Sequence, residues 1–233
     1  MEKYEMFDDL LQQYDGEYAK LFERFAQEEA KANVKLEVAS QFMVQIGAIM
    51  AAQGIDCYKQ ILPAALKVLG PVAIKEIIYQ AGAYLGLTKV YPFLSVTNEI
   101  FLANNIALPL ESQSTTDQSS RQPEGTNAQV AIFGEGMAEF YQKGKMNYLL
   151  AANCFGDYYT RTGLDLKSRE LLTFSFLLGH GGCESQLASH VNGNLKMGND
   201  YSTMMDVIYV CLPYVGYPRS LNAVAVLNQV TSK

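Results

Sequence analysis

The chain has 233 residues, close to half of them apolar, and a formal net charge of −6 at pH 7. That length supports a sizeable core without a disulfide or metal staple. The acidic balance argues against a nucleic-acid partner, which would want a basic footprint. No uncharged apolar run is long enough for a membrane span.

The opening stretch MEKYEMFDDLLQQYDGEYAKLF is acidic and amphipathic. It lacks the basic head and apolar run of a signal peptide, so a cytoplasmic chain is expected. Apolar residues at three- and four-residue steps predict helices over 7–32, 35–53, 57–70, 73–86 and 92–105. Gly70 is a stop signal, and Pro63 either kinks its helix or marks the true first turn.

From Leu108 to Asn127 the chain is rich in Ser, Thr and Gln and has no apolar period. This predicts a linker over 108–127, either a plain connector or a loop that folds over a site. Helical patterns resume at Ala128 and run to the end, with Asp165 as an N-cap ahead of Arg169 and Glu170. β-branched runs are short throughout, so the chain reads as all-α.

The halves 1–107 and 128–233 also share an order of helix, Gly stop, apolar helix, Tyr-Pro and final helix. This suggests a duplicated unit in which Tyr91-Pro92 answers Tyr217-Pro218.

The four cysteines, Cys57, Cys154, Cys183 and Cys211, form no C-x-x-C pair, and only two histidines are present. No metal site and no cofactor are expected, and free thiols suit a reducing compartment. Cys211 sits in the apolar VIYVCLPYV and reads as core.

The chemistry concentrates in GHGGCESQLASH, from Gly179 to His190. Gly181-Gly182 breaks one helix, and the next begins near Cys183. A cysteine in a first helical turn gains thiolate character from unpaired N–H groups, although Glu184 opposes it. His190 lies on the same face as Cys183, about 10 Å further along the axis. Gln186 sits between them on that stripe, so a Cys–Gln–His line joined by water is a possible arrangement. If the preceding helix packs antiparallel, Glu170 reaches His190 and orients it. The bland alternative is a small helix-start residue, with Gln186 and His190 capping backbone groups or lining a subunit contact.

At these residues the sequence resembles the carboxymuconolactone decarboxylase family, which shares the AhpD-like fold. Glu170, Cys183, His190 and Gly198 fall on the positions of the Glu, first Cys, His and helix-ending Gly of the alkylhydroperoxidase members. The resemblance covers Leu108 onward and is fainter over Lys35–Phe101. Gln186 stands where those members have their second cysteine, and the Glu-to-Cys interval is one residue longer. The first half shows no Glu/Cys/His set, since Leu62 and Ala64 follow Cys57 where a histidine would be needed.

The resemblance implies an all-α fold of two tandem units that assembles as a homo-oligomer, a trimer for a duplicated chain. It also implies a thiol-dependent peroxidase in which Cys183 attacks a peroxide, Gln186 positions water or substrate, His190 shuttles a proton and Glu170 holds His190. With one motif cysteine, turnover needs an external thiol or reductant protein, or Cys154 or Cys57 as resolver. The first alternative is a lyase or isomerase on a small organic acid or lactone, run by His190 and Glu170, with Arg161 or Arg169 holding a carboxylate. The second is a non-catalytic assembly protein.

Overall fold

A computed structural model describes residues 6–232. In chain order the helices are α1 (Asp9–Tyr14), α2 (Gly16–Arg24), α3 (Val38–Ala51), α4 (Ile55–Leu85), α5 (Leu87–Ala103), α6 (Arg121–Phe133), α7 (Lys145–Leu149), α8 (Leu166–His180), α9 (Glu184–Lys196), α10 (Tyr201–Val215) and α11 (Tyr217–Thr231). Two π-helical segments, Phe25–Glu29 and Leu150–Tyr159, continue α2 and α7. Among the described residues there is no strand, and no helix is long and apolar enough to cross a membrane.

α3 and α8 form the centre. Every residue from Gln41 to Ala51 and from Arg169 to Gly179 is buried, which marks helices enclosed on all sides rather than amphipathic ones. They cross closely. A Cβ added to Gly47 would lie 2.3 Å from Ser175 Oγ, and one added to Gly179 would lie 2.8 Å from the Ala48 carbonyl oxygen. Packing this tight excludes even one extra methyl without movement. α4 and α10 each pack on both central helices, and α5, α9 and α11 close the outside.

The elements follow their signals where those signals are local. Asp165 caps α8 by accepting from Ser168 N at 2.7 Å, and Asp200 caps α10 by accepting from Thr203 N at 2.8 Å. Such caps stabilise by about 1 kcal/mol each. α4 is two helical pieces joined at Gly70, whose φ of 74° breaks the ladder before Pro71. Pro63 lies inside the first piece, where the dihedrals stay helical.

Three expectations need correction. The irregular connector ends at Ser120 rather than Asn127, because α6 already begins at Arg121. Its first turns are polar and carry Pro123 and Gly125, so no apolar period announces them. What holds them is a close crossing with the π-helix: a Cβ on Gly125 would lie 1.9 Å from the Ala151 oxygen, and one on Gly156 would lie 1.9 Å from the Arg121 oxygen. The helix expected to run on through Gly134 stops there, at a φ of 101°. Finally, Gly86 and Gly216 make the same joint, both at φ 79°. Counted from those glycines, Leu87 and Tyr217 are both first in their helices, and Tyr91-Pro92 lies about one turn deeper than Tyr217-Pro218 does.

Candidate active site

α8 turns back into α9 through Gly181 and Gly182, with φ of 69° and 68°. The antiparallel return brings His190 beside Glu170, with Nδ1 2.9 Å from Oε2. The carboxylate oxygen accepts, so Nδ1 carries a proton, and in the neutral ring the lone pair is on Nε2. A Cβ on Gly193 would lie 2.4 Å from Glu170 Oε2, so this glycine makes room for the carboxylate. Asn194 fastens the two helices, donating to the Glu170 carbonyl at 3.0 Å and the His190 carbonyl at 2.8 Å. Asn199 donates in turn to Asn194 Oδ1 at 2.8 Å.

The other carboxylate oxygen is served from the π-helix. Tyr159 donates its hydroxyl to Glu170 Oε1 at 3.0 Å. Thr173 Oγ1 lies 2.5 Å from the Tyr159 hydroxyl and accepts from Gln80 Nε2 at 2.9 Å. Tyr84 OH lies 2.8 Å from Tyr159 OH. Burial pushes both phenols well above the ordinary tyrosine range, and the Glu170 charge adds to it. Both therefore remain protonated donors, and the chain Gln80–Thr173–Tyr159–Glu170 points its hydrogens toward the carboxylate. Glu170 is thus a fully buried anion supplied with donors on both oxygens, the condition under which a buried charge is tolerated.

His190 stands edge-on between Phe133 and Tyr84, with ring centroids at 5.4 and 5.7 Å. It lines a cavity of roughly 690 Å³ whose wall includes Gln129, Phe155, Cys154, Cys183 and Gln186. Among the described residues no lysine or arginine lines this cavity, and His180 is its second imidazole. Gln129 comes from α6 and is 1 % exposed, yet both ends of its amide lack a hydrogen-bond partner in the protein. A buried amide left this way loses about 1–3 kcal/mol, and a ligand carbonyl would recover that.

Of the residues picked out from sequence, Glu170 and His190 are joined directly, while Cys183 and Gln186 share their cavity without a hydrogen bond to them. Gln186 is exposed and accepts from Ser185 at 2.9 Å. Cys183 is the N-cap of α9, not a first-turn residue, and its Sγ donates to the Leu177 carbonyl at 3.4 Å. Burial, then the Glu184 charge, pushes its thiol up. The expected thiolate character is thereby reversed, since desolvation and a carbonyl partner both favour S–H.

Cys154 is in the cavity wall, with burial pushing its thiol up to about 12. Cys57 is exposed on α4 and away from this wall. Cys211 is fully buried. The two arginines suggested as carboxylate holders are committed elsewhere. Arg161 Nε sits 3.0 Å from both oxygens of Glu76, and Arg169 Nη2 lies 2.9 Å from Glu76 Oε2. Sequence reasoning missed Gln129, Tyr84, Tyr159 and Thr173. Gln129, Tyr84 and Tyr159 reach the site from three other elements, so no spacing rule links them, whereas Thr173 lies on α8 one turn after Glu170 and was within reach of a helical spacing.

Residues 145–229 match the model of the Carboxymuconolactone decarboxylase family. No curated protein matches the chain. The matched stretch contains Tyr159, Glu170, Cys183, Gln186 and His190, while Tyr84 and Gln129 lie outside it. Through that stretch, which holds the Glu170–His190 hairpin, the chain is similar to the carboxymuconolactone decarboxylase family.

Proposed function

We propose that the chain is a proton-transfer catalyst, of the isomerase or lyase kind, acting on a small uncharged carbonyl compound. The observation that carries this reading is the pairing of His190 with Glu170 at 2.9 Å in one cavity with the unpartnered amide of Gln129. His190 Nε2 takes a proton from the carbon next to the carbonyl; the C–H electron pair becomes the C=C bond of the enolate as the carbonyl π pair moves onto oxygen. Gln129 N–H donates to that developing oxyanion. The imidazolium formed is stabilised by Glu170, and it returns the proton to the substrate at another carbon. Tyr159, Thr173 and Gln80 are positioning residues that act through Glu170. A wall of aromatic and aliphatic side chains without lysine or arginine favours a neutral substrate over a dicarboxylic lactone.

The test is deuterium exchange at the α-carbon of cyclic ketones, enones and neutral lactones in D2O, followed by proton NMR. Exchange is expected with the wild type and not with His190→Ala. Equal exchange in the two would end this reading.

A second reading, thiol peroxidase, draws on Cys183 and Cys154 lining the same cavity. Cys183 sulfur would bond to the distal peroxide oxygen as the O–O bond breaks, giving sulfenic acid and an alcohol, with Cys154 or an external thiol reducing it. The raised thiols weigh against it. Intact-mass measurement after peroxide treatment separates the readings: this one requires an added oxygen or a new disulfide at Cys183.

We also read the chain as two tandem units, 1–107 and a second that begins with α6 at Arg121, assembling as a homo-oligomer, with a trimer expected. Exposed Met146, Tyr148 and Leu149 on α7 support association between copies. Light scattering tests it.

A further inference from the structure

A second cavity, of roughly 520 Å³, shares no lining residue with the His190 cavity. It lies between the second piece of α4, Asn98 of α5, the segment 108–113 and Arg161. Val72, Lys75, Glu76 and Tyr79 reach it from α4 at helical three- and four-residue steps. Lys75 is 7 % exposed. Its Nζ donates to Asn98 Oδ1 at 2.5 Å and lies 5.6 Å from the centre of the Phe101 ring.

An ammonium carries three donors, and one hydrogen bond leaves two of them open. Among the described residues no carboxylate pairs with Lys75. Glu76, its neighbour in the wall, is already answered by Arg161 and Arg169. Glu111 is the remaining acid of the wall and is exposed. Arg161 holds Glu76 through Nε and Nη2, which leaves Nη1. A buried cation without a counter-charge is costly, so the cavity favours a negative ligand. The rest of the wall includes Val72, Leu108, Pro109 and Leu110 and suits hydrocarbon.

We infer that this cavity binds a small organic monocarboxylate, with its carboxylate on Lys75 Nζ and the Asn98 amide and its apolar body against Val72 and the 108–110 segment. Nothing in this site depends on the chemistry assigned to His190. Burial lowers the Lys75 pKa, and a bound carboxylate would raise it again.

Calorimetric titration of the full chain at neutral pH with sodium butyrate, butyramide and sodium phosphate tests the inference. Butyrate is expected to saturate one site, with butyramide at least about ten-fold weaker, as loss of a charge-assisted contact implies. Lys75→Met is expected to weaken butyrate by a similar factor. In wild type with labelled lysine, butyrate should move the Lys75 Nζ resonance and raise its titration midpoint. Butyramide binding as well as butyrate, or undiminished affinity in Lys75→Met, overturns the inference. So does phosphate binding more tightly than butyrate. If Lys75→Met does not fold, the wild-type resonance decides, and a stationary Lys75 signal overturns it.

Discussion

The α3–α4 pair and the α8–α9 pair both turn through a residue of positive φ, yet one is filled with hydrocarbon and the other carries the polar site. Gln53 and Gly181, with φ of 61° and 69°, each lie in the connection to the next helix, and Gly70 and Gly198, at 74° and 84°, follow them at the same interval. In that register Glu170 answers to Phe42, Cys183 to Ile55, Gln186 to Tyr58 and His190 to Leu62. Phe42, Tyr58 and Leu62 are buried core residues, and Tyr58 satisfies its hydroxyl on Thr97 at 2.6 Å. The difference teaches that a helical turn of this kind does not create chemistry by itself. The second pair has a site because α6 and the π-helix bring Gln129 and Tyr159 to it, and those segments sit on one side only.

The largest effect that tests this contrast is on the rate. His190→Ala and Glu170→Gln are each expected to lower α-proton exchange by about 10²–10⁴-fold. The counterpart change, Leu62→His, should yield no exchange. It should instead destabilise the fold by about 1–3 kcal/mol, since the new imidazole would be buried without a carboxylate. Urea unfolding measures this, and exchange acquired by Leu62→His would break the contrast. Tyr159→Phe, which removes a donor to a charged group, should cost about ten-fold in rate, and the chemical shift of His190 Nδ1–H should move with it.

A second pair of counterparts lies at the α3–α8 crossing. Gly179→Ala would set a methyl against the Ala48 backbone, whereas Gly47→Ala meets the Ser175 side chain. The first should therefore destabilise by about 1–3 kcal/mol and the second by less. The reverse order in urea midpoints would mean that the crossing is not as close as described.

Alkaline pH separates the halves less sharply. Burial holds Cys154 protonated up to about 12, against an ordinary thiol value of 9.0. Below that ordinary value both folded and unfolded chains keep the proton, so this contribution to stability is fully present. As pH rises toward 12, only the unfolded chain releases it, and stability falls by about 1.4 kcal/mol per pH unit. Cys154→Ala should flatten that part of the stability–pH curve. The smallest expected effect is that of Cys183→Ser on α-proton exchange, under about two-fold if the thiol stays S–H beside Leu177 O. A hundred-fold loss there would instead favour thiol chemistry.

Legibility followed the range of the interactions. Asp165 and Asp200 are caps that satisfy a backbone N–H three residues on, so a short window reveals a signal such as Asp165. Glu170 and His190 were found because an antiparallel helical hairpin has predictable faces. α6 was partly hidden, since Gly125 and Gly156 serve a crossing between segments about thirty residues apart rather than a helical period. The state of Cys183 was misread for a similar reason. Its place at a helix start is local, but the Leu177 carbonyl and the burial that set its ionisation are not.

By itself the sequence determined the helical class, most of the punctuation and the Glu170–His190 hairpin, all of which rest on dihedral preference and spacing along one or two neighbouring helices. Only the tertiary structure decided that Gln129 shares the His190 cavity with its amide unpartnered, that Tyr159 serves Glu170, that Arg161 and Arg169 are taken by Glu76, and that Lys75 is buried without a counter-charge among the described residues. Hydrogen bonding and desolvation depend on which distant groups meet in space, and no periodicity along the chain encodes that meeting.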